Sequence, residues 1–469
     1  MKFHIVTYGC QMNERDSDAI AALLERHGHE SAQGEADAEL LLINTCSVRA
    51  KAEHKALGKL GLTTAAKQTR TSLRLVGAIG CMVERLGPRL FDKLPRLDFA
   101  VGARRLASLP FVVERALAGP DPILAVGVNP AETGNMAEMA GHAETGVSAY
   151  VNVLYGCDRG CSYCIVPAVR GPEVSRPARD ILAEARELAA RGVREITMLG
   201  QSVMAYGRAQ AVWESNDRSP RGFAEPFPRL LEAAADIEGL WRLRFASGHP
   251  SGCTPELARA MGSIPAVCRH LHLPLQSGSD RILKLMRRGY DIGVYRQAVE
   301  RLREAVPDIA ITTDIIVGFP SETDAEFEAT RAFMEEIGFD NAFIFKYSPR
   351  PGTPAAGWPD DVAAEEKLRR NKILLQDQQR RTLAGSERLV GQTIEILAEG
   401  VSARNAERWC GRTSGNRIVV FEPDSAVRKG DLIRVRIVRA MPQSLLGEMV
   451  GIVRAGPRQP DAEGKRNSE

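Results

Sequence analysis

AYVNVLYGCDRGCSYC, residues 149–164, decides how the centre of this 469-residue chain is built. Its first half reads as a strand. Directly after it come three cysteines, Cys157, Cys161 and Cys164, on a loop where Gly156 and Gly160 permit tight turns. A zinc site wants four ligands, and no fourth Cys or His lies close by in sequence. A four-iron cluster also usually takes four cysteines, so three thiolates would leave one iron open to a substrate or cofactor. Zinc completed by a distant ligand, and a purely structural role, are the competing readings.

That strand opens a series. Further candidate strands lie at 194–200, 241–247, 270–275, 309–318 and 341–348, separated by helical patterns such as DILAEARELAARG and YRQAVERLREAV. Six βα units suit an open or partial barrel better than a closed eight-fold one. A long polar loop at about 207–226 interrupts the series, and such loops at strand ends are often functional.

Upstream, residues 1–126 alternate short apolar runs with helical patterns: KFHIVTYG, AELLLINT, LRLVGAIG and LDFAVG read as strands. Strands alternating with helices imply a parallel sheet. Cys10, Cys46 and Cys81 follow the first three of these strands. The C-terminal ends of parallel strands share one edge, so these thiols should converge there. A single such cysteine would be read as an ordinary buried residue; three at equivalent strand ends argue for a site. Cys253, Cys268 and Cys410 read as structural or incidental.

Residues 127–148 have little apolar periodicity and read as a linker. The barrel segment, 149–385, closes with a long charged helix near 361–385. Residues 386–454 carry short alternating strands with turn residues between them, the pattern of a small β-barrel. The last stretch, 455–469, reads as a disordered tail. The expected class is therefore α/β: an N-terminal parallel domain, a central partial (β/α)6 barrel and a terminal β-barrel.

Composition narrows the function. Apolar residues at 44% and charged residues at 26% are ordinary for a globular protein. A net charge of +3 is too small to argue for nucleic acid by itself. No signal peptide and no apolar run of about 18 residues is visible, so a cytoplasmic protein with no membrane span is expected. Clustered cysteines in such a chain point to metal or catalysis, not to disulfides.

The Cys-x3-Cys-x2-Cys spacing after a first barrel strand, with Tyr163 before the last Cys, resembles the radical S-adenosylmethionine superfamily. More narrowly, TYGCQMNERDS, NTCSVRAKAEHK, GCMVERL, YGCDRGCSYCIVPAVRGPEVSRP, HLPLQSGSDRILKLMRRGY, TTDIIVGFPSETDAEF and FKYSPRPGTPAA resemble the methylthiotransferases, in order and over nearly the whole chain. GCQMN and RPGTPAA resemble the branch that modifies N6-dimethylallyladenosine beside the tRNA anticodon. Two neighbouring branches act on threonylcarbamoyl-adenosine and on an aspartate of a ribosomal protein; the latter typically has Lys where this chain has Met12. Departures from the family pattern are Ser202 and Met204 in place of Asn, Gly248 in place of Ser and Ser321 in place of Gly.

The resemblance implies two 4Fe-4S clusters and S-adenosylmethionine. Cys157, Cys161 and Cys164 would hold the catalytic cluster, whose open iron chelates S-adenosylmethionine. One-electron reduction then yields a radical that takes hydrogen from C2 of the adenine. Cys10, Cys46 and Cys81 would hold an auxiliary cluster that delivers sulfur. Tyr163, Gly200, Gln201, Ser277 and Asp314 are the expected cofactor-binding residues, with Glu173 and Arg176 orienting the cluster loop or pairing with each other. The terminal barrel resembles a TRAM domain, in which Arg404, Arg408, Arg412, Arg417 and Arg428, near expected loops, would meet RNA phosphates. A tRNA anticodon stem-loop, an electron donor such as flavodoxin or ferredoxin, and a sulfur donor are the implied partners of a monomer.

Overall fold

A computed structural model describes residues 1–48, 50–70, 72–127, 138–143, 146–214 and 217–456. All but the first two residues of the tail expected at 455–469, and much of the linker expected at 127–148, lie outside the described residues.

The N-terminal strands are β1 (Lys2–Thr7), β2 (Glu30–Ser31), β3 (Leu40–Thr45), β4 (Leu75–Gly80), β5 (Phe99–Gly102) and β6 (Ile123–Ala125). They form one parallel sheet in the order β2-β1-β3-β4-β5-β6. β3 and β4 are buried along their whole length, as parallel strands covered on both faces must be. Separate apolar layers cover the two faces. The helices are α1 (Gln11–Arg26), α2 (Ala50–Ala66), α3 (Cys81–Leu86), α4 (Arg89–Lys93) and α5 (Leu109–Ala118). The strand order reverses between β1 and β3, and ligands bind at such a switch point. The short edge strands β2 and β6 are additions to the expected four.

The central segment holds β7 (Ser148–Asn152), the short pair β8 (Leu154–Tyr155) and β9 (Val174–Ser175), β10 (Glu195–Leu199), β11 (Arg242–Phe245), β12 (His270–His272), β13 (Ala310–Val317) and β14 (Asn341–Lys346). β7, β10 and β11 pair in parallel, as do β12, β13 and β14, and a parallel bridge between Leu243 and Val267 joins the two halves. β7 and β14 end the arc, so the barrel is open as expected. Helices α6 (Val166–Arg170), α7 (Ala178–Ala190), α8 (Pro226–Ala235), α9 (Pro255–Ser263), α10 (Asp280–Leu285), α11 (Ile292–Ala305) and α12 (Asp324–Ile337) connect the strands. One face of the main strands packs on these helices in a single large core, for example Ile196, Met198, Leu243, Leu271, Ile311 and Ile344. The opposite face is polar: Glu195, Arg244, His272, Thr312 and Asp314 line the lumen. The described part of the long loop is packed against the helices. Ser219 and the Arg221 amide bond Glu232 on α8, the Glu225 amide bonds Glu256 on α9, and Arg229 stacks on Trp213.

Helix α13 (Ala364–Glu387) leads to a closed barrel of β15 (Thr393–Ser402), β16 (Asn405–Thr413), β17 (Ile418–Phe421), β18 (Leu432–Ala440) and β19 (Leu445–Arg454). β16 corrects the expectation of a loop there. Its sequence NAERWCGRT carries charge on a half-exposed surface, which hides the strand signal. Arg408 and Arg412 therefore sit on a strand, not in a loop. Arg242 and Arg244 reach from the lumen to the backbone carbonyls of Arg412, Thr413 and Ser414, so the terminal barrel plugs one end of the central one.

Candidate functional site

β1, β3 and β4 are adjacent strands, about 4.8 Å apart. Their C-terminal ends deliver Cys10, Cys46 and Cys81 to one edge, as expected. The loops there are tied by amides: Asn13 Nδ2 donates to Asn44 Oδ1 and to the Thr45 carbonyl at 3.1 Å, and Asn44 Nδ2 donates to the Asn13 carbonyl at 2.9 Å. Gly80 has φ +98°, and a Cβ there would lie 2.6 Å from the Thr45 carbonyl oxygen. A hydrogen bond with Cys46, aided by Arg170 against the cost of burial, holds the Cys10 thiol down to about 6. Burial pushes Cys81 up, and Arg170 partly offsets it with a 3.3 Å hydrogen bond from Nε to Sγ. The Val48 amide donates to Cys46 Sγ at 3.3 Å.

The second triad follows β8. Gly156 has φ +70°, and a Cβ there would lie 1.9 Å from the Pro172 carbonyl oxygen, so only glycine lets the chain turn into the loop. The Cys157 amide donates to the Gly171 carbonyl. Ser162 ties the loop to α10, its amide donating to the Met286 carbonyl and its hydroxyl to the Leu285 carbonyl at 2.7 Å. Burial raises Cys157, and the neighbouring Cys161 adds to that. Burial, with Cys161 and Cys157 beside it, pushes Cys164 up to about 12. Arg288 answers with a 3.3 Å hydrogen bond from Nη1 to Cys161 Sγ.

In the second triad, burial and the neighbouring sulfurs oppose ionisation of Cys157 and Cys164, a cost that cationic metal would relieve, whereas in the first triad Cys46 and Arg170 already favour the Cys10 thiolate. Among the described residues, none of these groups forms a closed metal-ligand set of three or more His, Cys, Asp or Glu. The donor chemistry nonetheless fits iron, since thiolates are the ligands iron–sulfur clusters take. Orphaned polar atoms support a ligand beside the second triad. Gln201, at the end of β10, has both amide atoms buried without a partner, and Asn152 Oδ1 and Tyr155 OH are in the same condition.

The remaining expected residues divide. Gly200 packs against Leu154 and Val203. Tyr163 stacks edge-on to Phe319 at 6.3 Å within an apolar group containing Tyr347 and Trp358. Asp314 faces the lumen and accepts from His272 at 3.3 Å. Ser277 is fully buried against Thr330 and the Ser279 amide. Arg176 pairs with Glu184 at 2.6 Å, not with Glu173, and donates to the Asn152 carbonyl. In the terminal barrel, Arg417 pairs with Asp340 of the central segment at 2.6 Å and Arg412 with Glu399 at 3.1 Å. Arg404 and Arg428 lie exposed, and Arg408 is about one-third exposed beside Glu422.

Three residues escaped the sequence reading. Arg170 and Arg288 each bond a thiol of one triad, yet neither stands at a spacing that announces it. His249 is buried with Nε2 unpartnered; burial, then Arg288 and Arg159, depress it to about 2, so it stays neutral.

The two triads are neighbours. Cys81 shares a small buried cluster with Ile165, which follows Cys164, and with Val169.

Comparison with known proteins agrees with this architecture. Residues 2–102 match the Uncharacterized protein family UPF0004, 151–334 the Radical SAM superfamily, and 387–450 the TRAM domain. The chain is 42% identical over 96% of its length to the tRNA-2-methylthio-N(6)-dimethylallyladenosine synthase of Moorella thermoacetica, covering 98% of that protein. The synthase of the same name from Akkermansia muciniphila is 42% identical, with 95% and 98% covered. Among solved structures, the radical S-adenosylmethionine methyltransferase TsrM from Kitasatospora setae shares the fold at 14% identity, with TM-score 0.56 and 76% and 77% of the two chains covered.

Proposed function

Because this chain belongs to the family of tRNA-2-methylthio-N(6)-dimethylallyladenosine synthases, we propose that its two thiol triads hold two four-iron clusters serving one substrate base. The enzyme is a tRNA methylthiotransferase. It places sulfur and a methyl group at C2 of N6-dimethylallyladenosine beside the anticodon by radical S-adenosylmethionine chemistry. The observation that carries the two-cluster reading is the contact of Cys81 with Ile165 and Val169, which brings the triads together.

An aromatic C–H bond resists acid–base removal, and a cluster with S-adenosylmethionine supplies the one-electron chemistry that opens it. The chain's own work is positioning. Cys157, Cys161 and Cys164 would hold the catalytic cluster, and Ser162 and Gly156 fix their loop. The unpaired amide of Gln201 and the side-chain carbonyl of Asn152 would offer hydrogen bonds to the cofactor's polar methionine end. Tyr163 and its aromatic neighbours exclude water from the loop. Neutral His249 keeps one ring nitrogen free for a hydrogen bond to a ligand. Cys10, Cys46 and Cys81 would hold the auxiliary cluster, which would supply the sulfur to be inserted. The lumen, with His272 and Asp314, receives the base. Segments 1–126, 149–385 and 386–454 thus divide the work among sulfur delivery, radical generation and RNA binding. Each turnover needs electrons from a flavodoxin- or ferredoxin-type donor and sulfur from a donor.

The test is the modified-nucleoside profile of a deletion strain. The chain's gene should restore 2-methylthio-N6-dimethylallyladenosine, and genes carrying Cys157→Ala or Cys10→Ala should not. Anaerobic analysis should find about eight irons in the wild type and about four in either triad's triple alanine variant. An unchanged profile in the deletion strain refutes the substrate, and about four irons in the wild type refutes the second cluster.

A further inference from the structure

Arg170 ends α6, the short helix that begins two residues after Cys164. Its side chain leaves the central segment and enters the N-terminal one. Nε donates to Cys81 Sγ at 3.3 Å, and Nη2 bonds Asp16 Oδ2 at 2.6 Å. Asp16 lies on α1, the helix that starts immediately after Cys10. The ion pair is deeply buried, its partners 8% and 3% exposed. The next residue, Gly171, accepts the Cys157 amide through its carbonyl. One residue therefore touches a thiol of the first triad while its backbone neighbour anchors the first thiol of the second.

We propose that Arg170 is a positioning residue shared by both triads, and that its guanidinium, tempered by Asp16, sets the reduction potential of the cluster held by Cys10, Cys46 and Cys81. The proposal rests on the two-cluster reading above. A hydrogen bond from a cation to a ligand sulfur stabilises the more negative, reduced cluster and so raises its potential. A buried pair is weakly screened, so the effect survives salt. Asp16 acts with the opposite sign, because its carboxylate adds negative charge beside the same sulfur. Arg85, Arg350 and Glu53 also surround this triad, but Arg85 and Glu53 are paired with each other and Arg350 donates to the Val48 carbonyl. Arg170, by contrast, donates directly to a thiol of the triad.

The experiment isolates the auxiliary cluster in the full chain with Cys157→Ala, Cys161→Ala and Cys164→Ala, then follows its potential by dye-mediated titration with EPR detection. Into this parent go Arg170→Gln, Arg170→Lys and Asp16→Asn. The expected result is a shift to more negative potential for Arg170→Gln, a smaller one for Arg170→Lys, and a shift to more positive potential for Asp16→Asn. A purely structural bridge would give shifts of the same sign for Arg170→Gln and Asp16→Asn, since both break it, and that result overturns the proposal. So do unmoved potentials. If Arg170→Gln fails to assemble iron, the sign for Asp16→Asn decides alone. A parent with no four-iron signal overturns the two-cluster reading, and the proposal with it.

Discussion

At residue scale, two of the positions read from the resemblance as departures, Met204 and Gly248, meet in space. The Met204 thioether fills the space a side chain at 248 would need: a Cβ there would lie 3.0 Å from Met204 Cε and 2.7 Å from the His272 carbonyl oxygen. The His249 amide, next in sequence, points at Met204 Sδ. Gly248→Ser alone should cost about 1–3 kcal/mol through overpacking. Adding Met204→Asn should recover part of it, with a coupling of at least about 0.5 kcal/mol in denaturant unfolding. Additive effects would show the two sites to be independent. Ser321, where Gly is usual, keeps the left-handed backbone with φ +66°. Its hydroxyl and carbonyl accept from Arg281, which offsets that strain.

At the scale of elements, α1 meets α7 through a buried charge network. Arg15 and Asp18 of α1, Glu184 of α7, Arg176 before α7 and His142 between the two segments face one another. Burial opposes protonation of His142, but hydrogen bonds to Asp18 and Glu184 outweigh it and raise its affinity for a proton. A raised folded-state value means that the stabilisation is complete below the ordinary imidazole range, near 6.5, and is lost as pH climbs through the higher folded value. Glu184 and Asp18 shift the other way despite burial, so their contribution fades only in acid. Stability measured from pH 6 upward should therefore fall in the wild type, and His142→Gln should flatten that slope; an unchanged slope would count against the clamp. The first turns of α1, QMNERD, are polar, yet Asn13, Arg15 and Asp16 are buried because each has a polar partner in another element.

For the whole molecule, the terminal barrel is fixed to the central one by Arg242, Arg244 and Arg417, so its orientation toward the lumen is set before RNA arrives. That pairing leaves Arg417 less available for the proposed phosphate contacts than exposed Arg404 and Arg428 and partly exposed Arg408. Replacing these three with alanine should weaken tRNA binding at all sequences alike. The slope of log K against log salt should become shallower by about one for each phosphate that the variant no longer neutralises. Cleavage of S-adenosylmethionine without tRNA should be unchanged. Full affinity with an unchanged salt slope would place the RNA elsewhere. Among the described residues, no helix is long and apolar enough to cross a membrane.

Read alone, the amino-acid sequence established the main strands of both α/β segments, though not the short strands β2, β6, β8 and β9, and singled out the six thiols, because hydrophobic periodicity and Cys placement are local properties of a chain. It also placed both triads at strand ends, since parallel strands point the same way. The three-dimensional fold was needed to show that the triads are neighbours, that Arg170 joins them, and that Arg176 serves Glu184 instead of Glu173. Those are contacts between residues tens to well over a hundred positions apart or between competing partners of like chemistry, and no local pattern distinguishes which carboxylate a buried arginine will meet.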